Sequence, residues 1–539
     1  MKRYVYLIGW MLSVWCVGCV DEPEPRSLVP KVSLHAATDV TRTSAVLSGE
    51  VLIQGSGKVE MVCFRYGENK EMVHSVSANA GGGEVSASLD ELLPNTLYYF
   101  CLETGNGHQT VASLPDSFRT VPNTVPSLNP IAEWGHSPMS VLLSCSIIDN
   151  GGCPVERAGF ALRLATESRE TETVAEPDET GNFMARLSGL LPETDYRIRA
   201  FAENEVGRFY TEEYAFATGD AMVCKEAGML PLLIGEDERY SYSSIRVVAP
   251  LNGSDLLLLR DMAGTDRSGS PTPGKLEVME LGDAEIVAGG APYDGEHYTC
   301  ADTVSVGMFS GLPLLRELQL PHSAKVVEAN AFTSCPCLSR LLLPNEVEKL
   351  EPSVGCTALE EIVLSDINPF YHVVDGLLYD KSGTSLVWYP RGKQMERLEL
   401  PPTLKAIESY ALEGCLVRNL MLPSSVERIG LYAFANSRVE SVVLPDGLYR
   451  VERGVFQNCF SLHEVKLGKG VEYLSEYCFD GCPLTDLYLF CDWLPYASEL
   501  SFAGMPDVYN VCTLHVPQSM RLQYVNHPLW SKFKRIVPF

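Results

Sequence analysis

The chain has 539 residues, more than one hydrophobic core accommodates, and its 46% hydrophobic and 21% charged content excludes a disordered polymer. A formal charge of −27 repels nucleic-acid phosphates and anionic headgroups, so nucleic-acid binding is not expected. The element pattern predicts a mainly β protein with short helical or irregular connections: two β-sandwiches and then a repeat solenoid.

Lys2 and Arg3 precede an uncharged, mostly apolar run from Tyr4 to Val17, too short to span a bilayer comfortably. Residues 1–18 therefore read as a signal peptide, whose removal takes the charge from −27 to −29. The ending Cys16-Val17-Gly18-Cys19 resembles a bacterial lipobox, which implies lipidation at Cys19. Trp15 disfavours Cys16 as the acceptor, and Cys rather than Leu three residues before Cys19 departs from the usual pattern. An ordinary cleaved leader with an incidental cysteine is the alternative. Residues 19–30 read as a tether, in which Asp21-Glu22-Pro23-Glu24 resembles the surface-export signal of Bacteroidetes lipoproteins. No other stretch has spanning length, so the expected location is the outer membrane, cell-surface exposed, with a lipid as the only anchor.

Residues 31–121 alternate apolar and polar in short runs separated by turn residues, as in Ala45–Val51 and Val59–Phe64. Leu93-Pro94-Asn95-Thr96-Leu97-Tyr98 puts a tyrosine just after a Pro-containing corner, where its hydroxyl can bond back to the turn. The pattern returns within 125–218 as Leu191-Pro192-Glu193-Thr194-Asp195-Tyr196, continuing to Ala202-Glu203-Asn204-Glu205-Val206-Gly207. This second copy resembles the fibronectin type III signature; the first keeps the corner but has Gly105-Asn106-Gly107 at the end. Both read as spacers, since their recognisable residues are structural. Gly55-Ser56-Gly57-Lys58 resembles a phosphate loop but lacks the full spacing, and it reads as a turn. Cys63 with Cys101, or Cys145 with Cys153, are possible disulfides.

Residues 219–300 carry no repeat. A helix capped near Ser254 or Asp255 and a strand over Lys275–Leu281 are expected there, as an N-terminal cap for the solenoid.

From 301 to 512 the phrase L-x-x-L-x-L recurs eight times, from Leu315/Leu318/Leu320 to Leu484/Leu487/Leu489, with a period near 22 residues broken once. Proline comes next at Pro321, Pro344, Pro401, Pro423 and Pro445, where a strand must end. Between strands lie Ala331-Phe332-Thr333-Ser334-Cys335, Ala433-Phe434 and Val455-Phe456-Gln457-Asn458-Cys459. Their aromatics should stack down the axis, and Cys335, Cys356, Cys415, Cys459 and Cys482 should be core thiols. The combination resembles the BspA-type leucine-rich-repeat proteins of Bacteroidetes. That resemblance implies that the insertion 368–391 is a recurring hairpin and that 513–539, with Leu514-His515-Val516-Pro517, is a C-terminal cap.

No HExxH, GxSxG or dinucleotide fingerprint occurs, and no Cys/His grouping has zinc spacing. Neither enzymatic activity, cofactor nor metal is expected. The outward middle row of the solenoid sheet reads Gln319, Leu342, Val363, Glu399, Met421, Val443, Lys466 and Tyr488. Its apolar members, Leu342, Val363, Met421, Val443 and Tyr488, form a candidate binding stripe, the alternative being ladders that merely stabilise the sheet. Tyr371, His372, Tyr379, Trp388 and Tyr389 form a second candidate in the insertion, the alternative being a structural role for that hairpin. The resemblance implies adhesion to a host matrix protein, a glycan or another cell. An accessory subunit of an outer-membrane uptake or envelope complex is the rival.

Overall fold

A computed structural model describes residues 30–53, 59–78, 83–107, 109–395, 397–505 and 507–539. The signal segment, Cys19 and the Gly55–Lys58 turn lie outside them. The described chain is mostly β with a few short helices, and no helix in it is long and apolar enough to cross a membrane.

In the first region Lys31–Leu34, Ala45–Leu52 and Gly83–Leu89 form one antiparallel sheet; His74–Ser77, Met61–Gly67, Leu97–Gly105 and Thr110–Ala112 form another, with Asp116–Arg119 also on Leu97–Gly105. Period-two alternation buries Leu47, Phe64 and Phe100 completely in one core. The Tyr98 hydroxyl accepts from the Leu93 amide at 3.0 Å, and Thr120 Oγ1 donates to the Leu93 carbonyl at 2.6 Å. The same bonds recur one region later, Tyr196 accepting from Leu191 at 2.9 Å and Thr218 donating back to Leu191 at 2.6 Å. Those bonds satisfy corner backbone groups that the strands leave unpaired. The two possible disulfides do not form. Cys63 and Cys101 are free thiols two register positions apart, since Cys63 faces Glu103 and Cys101 faces Arg65. Cys145 bonds the Asn129 carbonyl, and Cys153 the Glu205 carboxylate.

The solenoid sheet begins earlier than the repeat phrase. Met222–Cys224, Ser244–Val248 and Val278–Glu280 are parallel members of it, continuing to Glu317–Gln319, Arg340–Leu342 and Glu361–Val363. The stretch read as a cap without repeats thus contributes three strands, and the last, Val278–Glu280, carries the phrase as Leu276/Met279/Leu281, all buried. On its other side Met222–Cys224 pairs antiparallel with Ala132–His136, Gly135 facing Cys224. The predicted helix is Gly253–Met262, with Asn252 and Asp255 forming a capping box, and the predicted strand is Val278–Glu280. A second parallel run starts at Asn419–Met421 and passes through Ser441–Val443, Glu464–Leu467 and Asp486–Leu489. Thr513–Val516 and Arg535–Pro538 extend it, so the stretch read only as a cap adds two strands.

Regular coils return through a two-residue strand, such as Val326–Val327 or Tyr473–Leu474, and then a tight turn. That turn uses two left-handed residues, one before the Ala-Phe pair and one before the cysteine: Asn330 and Ser334 have φ of 62° and 60°. Phe434, Phe456, Phe479 and Phe502 stack at 5.3, 5.7 and 6.0 Å. Behind them thiols donate to the aromatic carbonyl of the previous coil, Cys459 to Phe434 and Cys482 to Phe456, both at 3.0 Å. The five repeat cysteines are buried free thiols, as expected, and burial pushes Cys415 up to about 12.

Candidate binding surface

Parallel pairing in register makes every outward side chain the neighbour of its counterpart in the next coil. Glu280, Gln319, Leu342 and Val363 are aligned in the first run; Met421, Val443, Lys466, Tyr488, His515 and Val537 are aligned in the second. The stripe expected from sequence is therefore divided. Leu342 and Val363 are half-buried and belong to the first run, while Met421, Val443 and Tyr488 lie on the second. Exposed Glu399 falls between, where the pairing among the described residues is an isolated bridge from Leu398 to Leu420.

On the second run Met421 is 73% exposed and Val443 56%, beyond what solvent favours for side chains of that size. Further along, Tyr488 stacks on His515 with ring centroids 4.0 Å apart and planes 8° from parallel, and Lys466 Nζ lies 5.2 Å from the Tyr488 ring. Lys466 bonds Glu464 at 2.8 Å, which raises its pKa, and His515 Nε2 lies 2.8 Å from Asp486 Oδ1, a hydrogen bond that holds Asp486 below the usual aspartate range. The row thus passes from an apolar pair to a cation–aromatic pair and ends on Val537, 43% exposed. Sequence reasoning missed His515 and Val537. The alternation Leu514-His515-Val516 was the signal that would have placed His515 outward.

Burial removes most of the second candidate. Tyr379, Trp388 and Tyr389 are no more than 4% exposed and are core residues rather than surface contacts. The insertion is a meander: Tyr371–Val374 pairs with Leu377–Asp380, that strand with Ser385–Trp388, and Ser385–Trp388 joins the return strands beside Ala406–Ile407. The repeat places Ser353 where other coils carry the aromatic, and Trp388 lies parallel to Phe332 at 6.5 Å. Tyr389 bonds the Lys393 carbonyl through its hydroxyl at 2.6 Å. Tyr371 accepts from the Leu350 amide at 3.1 Å, and His372 stacks on Tyr379 at 6.0 Å. Only Tyr371 and His372 keep partial exposure.

Among the described residues no group of three or more His, Cys, Asp or Glu side chains is placed to hold a metal ion.

Residues 300–371 and 390–505 match the BspA type leucine rich repeat region in six copies, so that part of the chain is similar to a BspA-type solenoid. No curated protein is significantly similar in sequence. The solved structures that resemble the chain at low identity include three leucine-rich-repeat proteins. The pneumococcal vaccine antigen PcpA is 19% identical with a TM-score of 0.38, over 57% of this chain and 82% of that one. A leucine-rich repeat protein from Eubacterium ventriosum is 15% identical with a TM-score of 0.34, over 54% and 76%. A leucine rich cell surface protein from Faecalibacterium prausnitzii is 16% identical with a TM-score of 0.32, over 63% and 93%. At those values nothing about function passes from them to this chain.

Proposed function

We propose that this chain is a non-catalytic binding protein of the bacterial cell surface, exported, anchored by a lipid on Cys19, and carrying its solenoid on two fibronectin type III-like domains. The observation that carries the proposal is the aligned outer row of the second run, where Met421 and Val443 stand exposed beside Lys466 and Tyr488. An apolar pair next to a cation and an aromatic ring is the composition of a protein or glycan contact, and a solenoid offers it on a rigid surface. The repeated tyrosine corners support the fibronectin-like reading. A host matrix protein or surface glycan is the partner class this reading favours.

Binding of the mature chain to immobilised matrix proteins, mucin glycans and bacterial envelope extracts tests it. Saturable binding to a host component is expected, weakened roughly tenfold or more by Met421→Asp with Val443→Asp in a chain that still folds. Retention of a bacterial envelope protein alone overturns the adhesive reading in favour of an accessory role. Detergent partitioning of wild type and Cys19→Ala from the native host tests the anchor: the variant should move to the aqueous phase.

A further inference from the structure

The corner after each strand of the first run forms a groove that the outer-row reading leaves unused. Successive corners stack along it, the His322 amide donating to Gly282 at 3.1 Å and the Glu346 amide to His322 at 3.3 Å. The groove encloses about 760 Å³. One wall carries Glu285, Glu346 and Glu348, all exposed and none in an ion pair among the described residues. Neighbouring Asp283 is instead neutralised by Arg246 at 2.6 Å.

The far end is built by the insertion. Asn368 is fully buried; its amide donates to the Asn345 and Val347 carbonyls at 3.1 and 3.0 Å, and its oxygen accepts from the Phe370 and Tyr371 amides, both at 2.8 Å. This clamp fixes a turn that holds Ile367 81% exposed and Phe370 45% exposed at the groove. His322 and Ser323 also line it.

We propose that this groove binds a cationic, partly apolar segment of a partner protein, with lysine or arginine against the three glutamates and an apolar side chain against Ile367 and Phe370. Charge complementarity selects the occupant: three unneutralised carboxylates on a chain of net charge −27 repel acidic segments and steer basic ones. This site is separate from the Met421–Val443 surface, and the two stand or fall independently.

The test uses the full chain and short labelled peptides alternating lysine with leucine, lysine with serine, and glutamate with leucine, read by fluorescence anisotropy. The lysine–leucine peptide should bind best, losing affinity as salt rises, and the glutamate–leucine peptide should not bind. Glu285→Gln with Glu346→Gln and Glu348→Gln should weaken binding roughly tenfold or more, and Ile367→Ser with Phe370→Ser should erase the advantage of leucine over serine. Glu399→Gln with Glu427→Gln and Glu499→Gln removes the same charge from other coils and should leave affinity within about twofold. Equal loss in both glutamine triples overturns the proposal, because attraction would then come from net charge alone. So does an absence of lysine–leucine binding at low salt. Met421→Asp with Val443→Asp should leave peptide binding unchanged, so failure at one surface is not mistaken for failure at the other.

Discussion

The two halves of the solenoid bury their cores by different means. After the insertion the repeat is regular, and Phe434, Phe456, Phe479 and Phe502 stack with interplanar angles of 10°, 3° and 17°. Before it the ladder holds only Phe309 and Phe332, and Trp388 from the insertion is the next ring. The two halves form separate buried clusters that meet at the insertion, whose side chains divide between them. Leu378, Val387 and Trp388 join the first cluster; Leu377, Tyr379, Leu386 and Tyr389 join the second. A strand facing water on one side cannot do this, but a strand placed between two cores buries both faces. The insertion is thus the seam of the solenoid, and regularity on one side is matched by a guest residue on the other.

Removing the guest should have the largest effect. Trp388→Ala opens a cavity in the first cluster and should cost about 3–5 kcal/mol, with urea unfolding separating into two transitions as the halves uncouple. Phe456→Ala should cost a similar amount yet lower only the transition of the second half. Asn368→Ala removes both side-chain bonds to the Asn345 and Val347 carbonyls and should cost about 2–3 kcal/mol, read as a lower urea midpoint for the first half. Placing an aromatic at the repeat's own position sharpens the contrast further. Ser353→Phe should overpack against Trp388 and cost about 1–3 kcal/mol, while Ser353→Phe combined with Trp388→Ala should recover part of the loss in a double-mutant cycle.

The smallest effect belongs to the second half. Asp486 is held low by its bond to His515, so its contribution is present above the usual aspartate pKa and fades as pH falls through the depressed folded value. Asp486→Asn should cost about 0.5 kcal/mol at neutral pH, since the pair is partly exposed, and the gap from wild type should close in acid.

The legibility of the amino-acid sequence divides along the same line. In the second half the leucine phrase, the strand-ending prolines and the Phe-x-x-Cys spacing each mark a position set by contacts within a coil or with its neighbour, so local periodicity carried them. Trp388 and Tyr389 were misplaced because aromatics near turn residues read as a surface hairpin, and burial between two cores leaves no alternation to detect. The strand Met222–Cys224 was invisible for another reason: its partners, Ala132–His136 and Ser244–Val248, are chosen at long range and not by any repeat phrase. Of the candidate surface, Met421 and Val443 were legible from inward–outward alternation, whereas the break between Val363 and Met421 depended on how the insertion enters the coils.

The antiparallel pairing of Ala132–His136 with Met222–Cys224 has a consequence for how copies of the molecule meet. A parallel stack of coils exposes unpaired amides and carbonyls at its first strand, an invitation to end-to-end fibre growth. Here that edge is already occupied by a strand of opposite direction, which offers a second copy no continuation of the parallel ladder. Self-association at this end requires Ala132–His136 to be displaced first, so the pairing acts as a stopper against polymerisation.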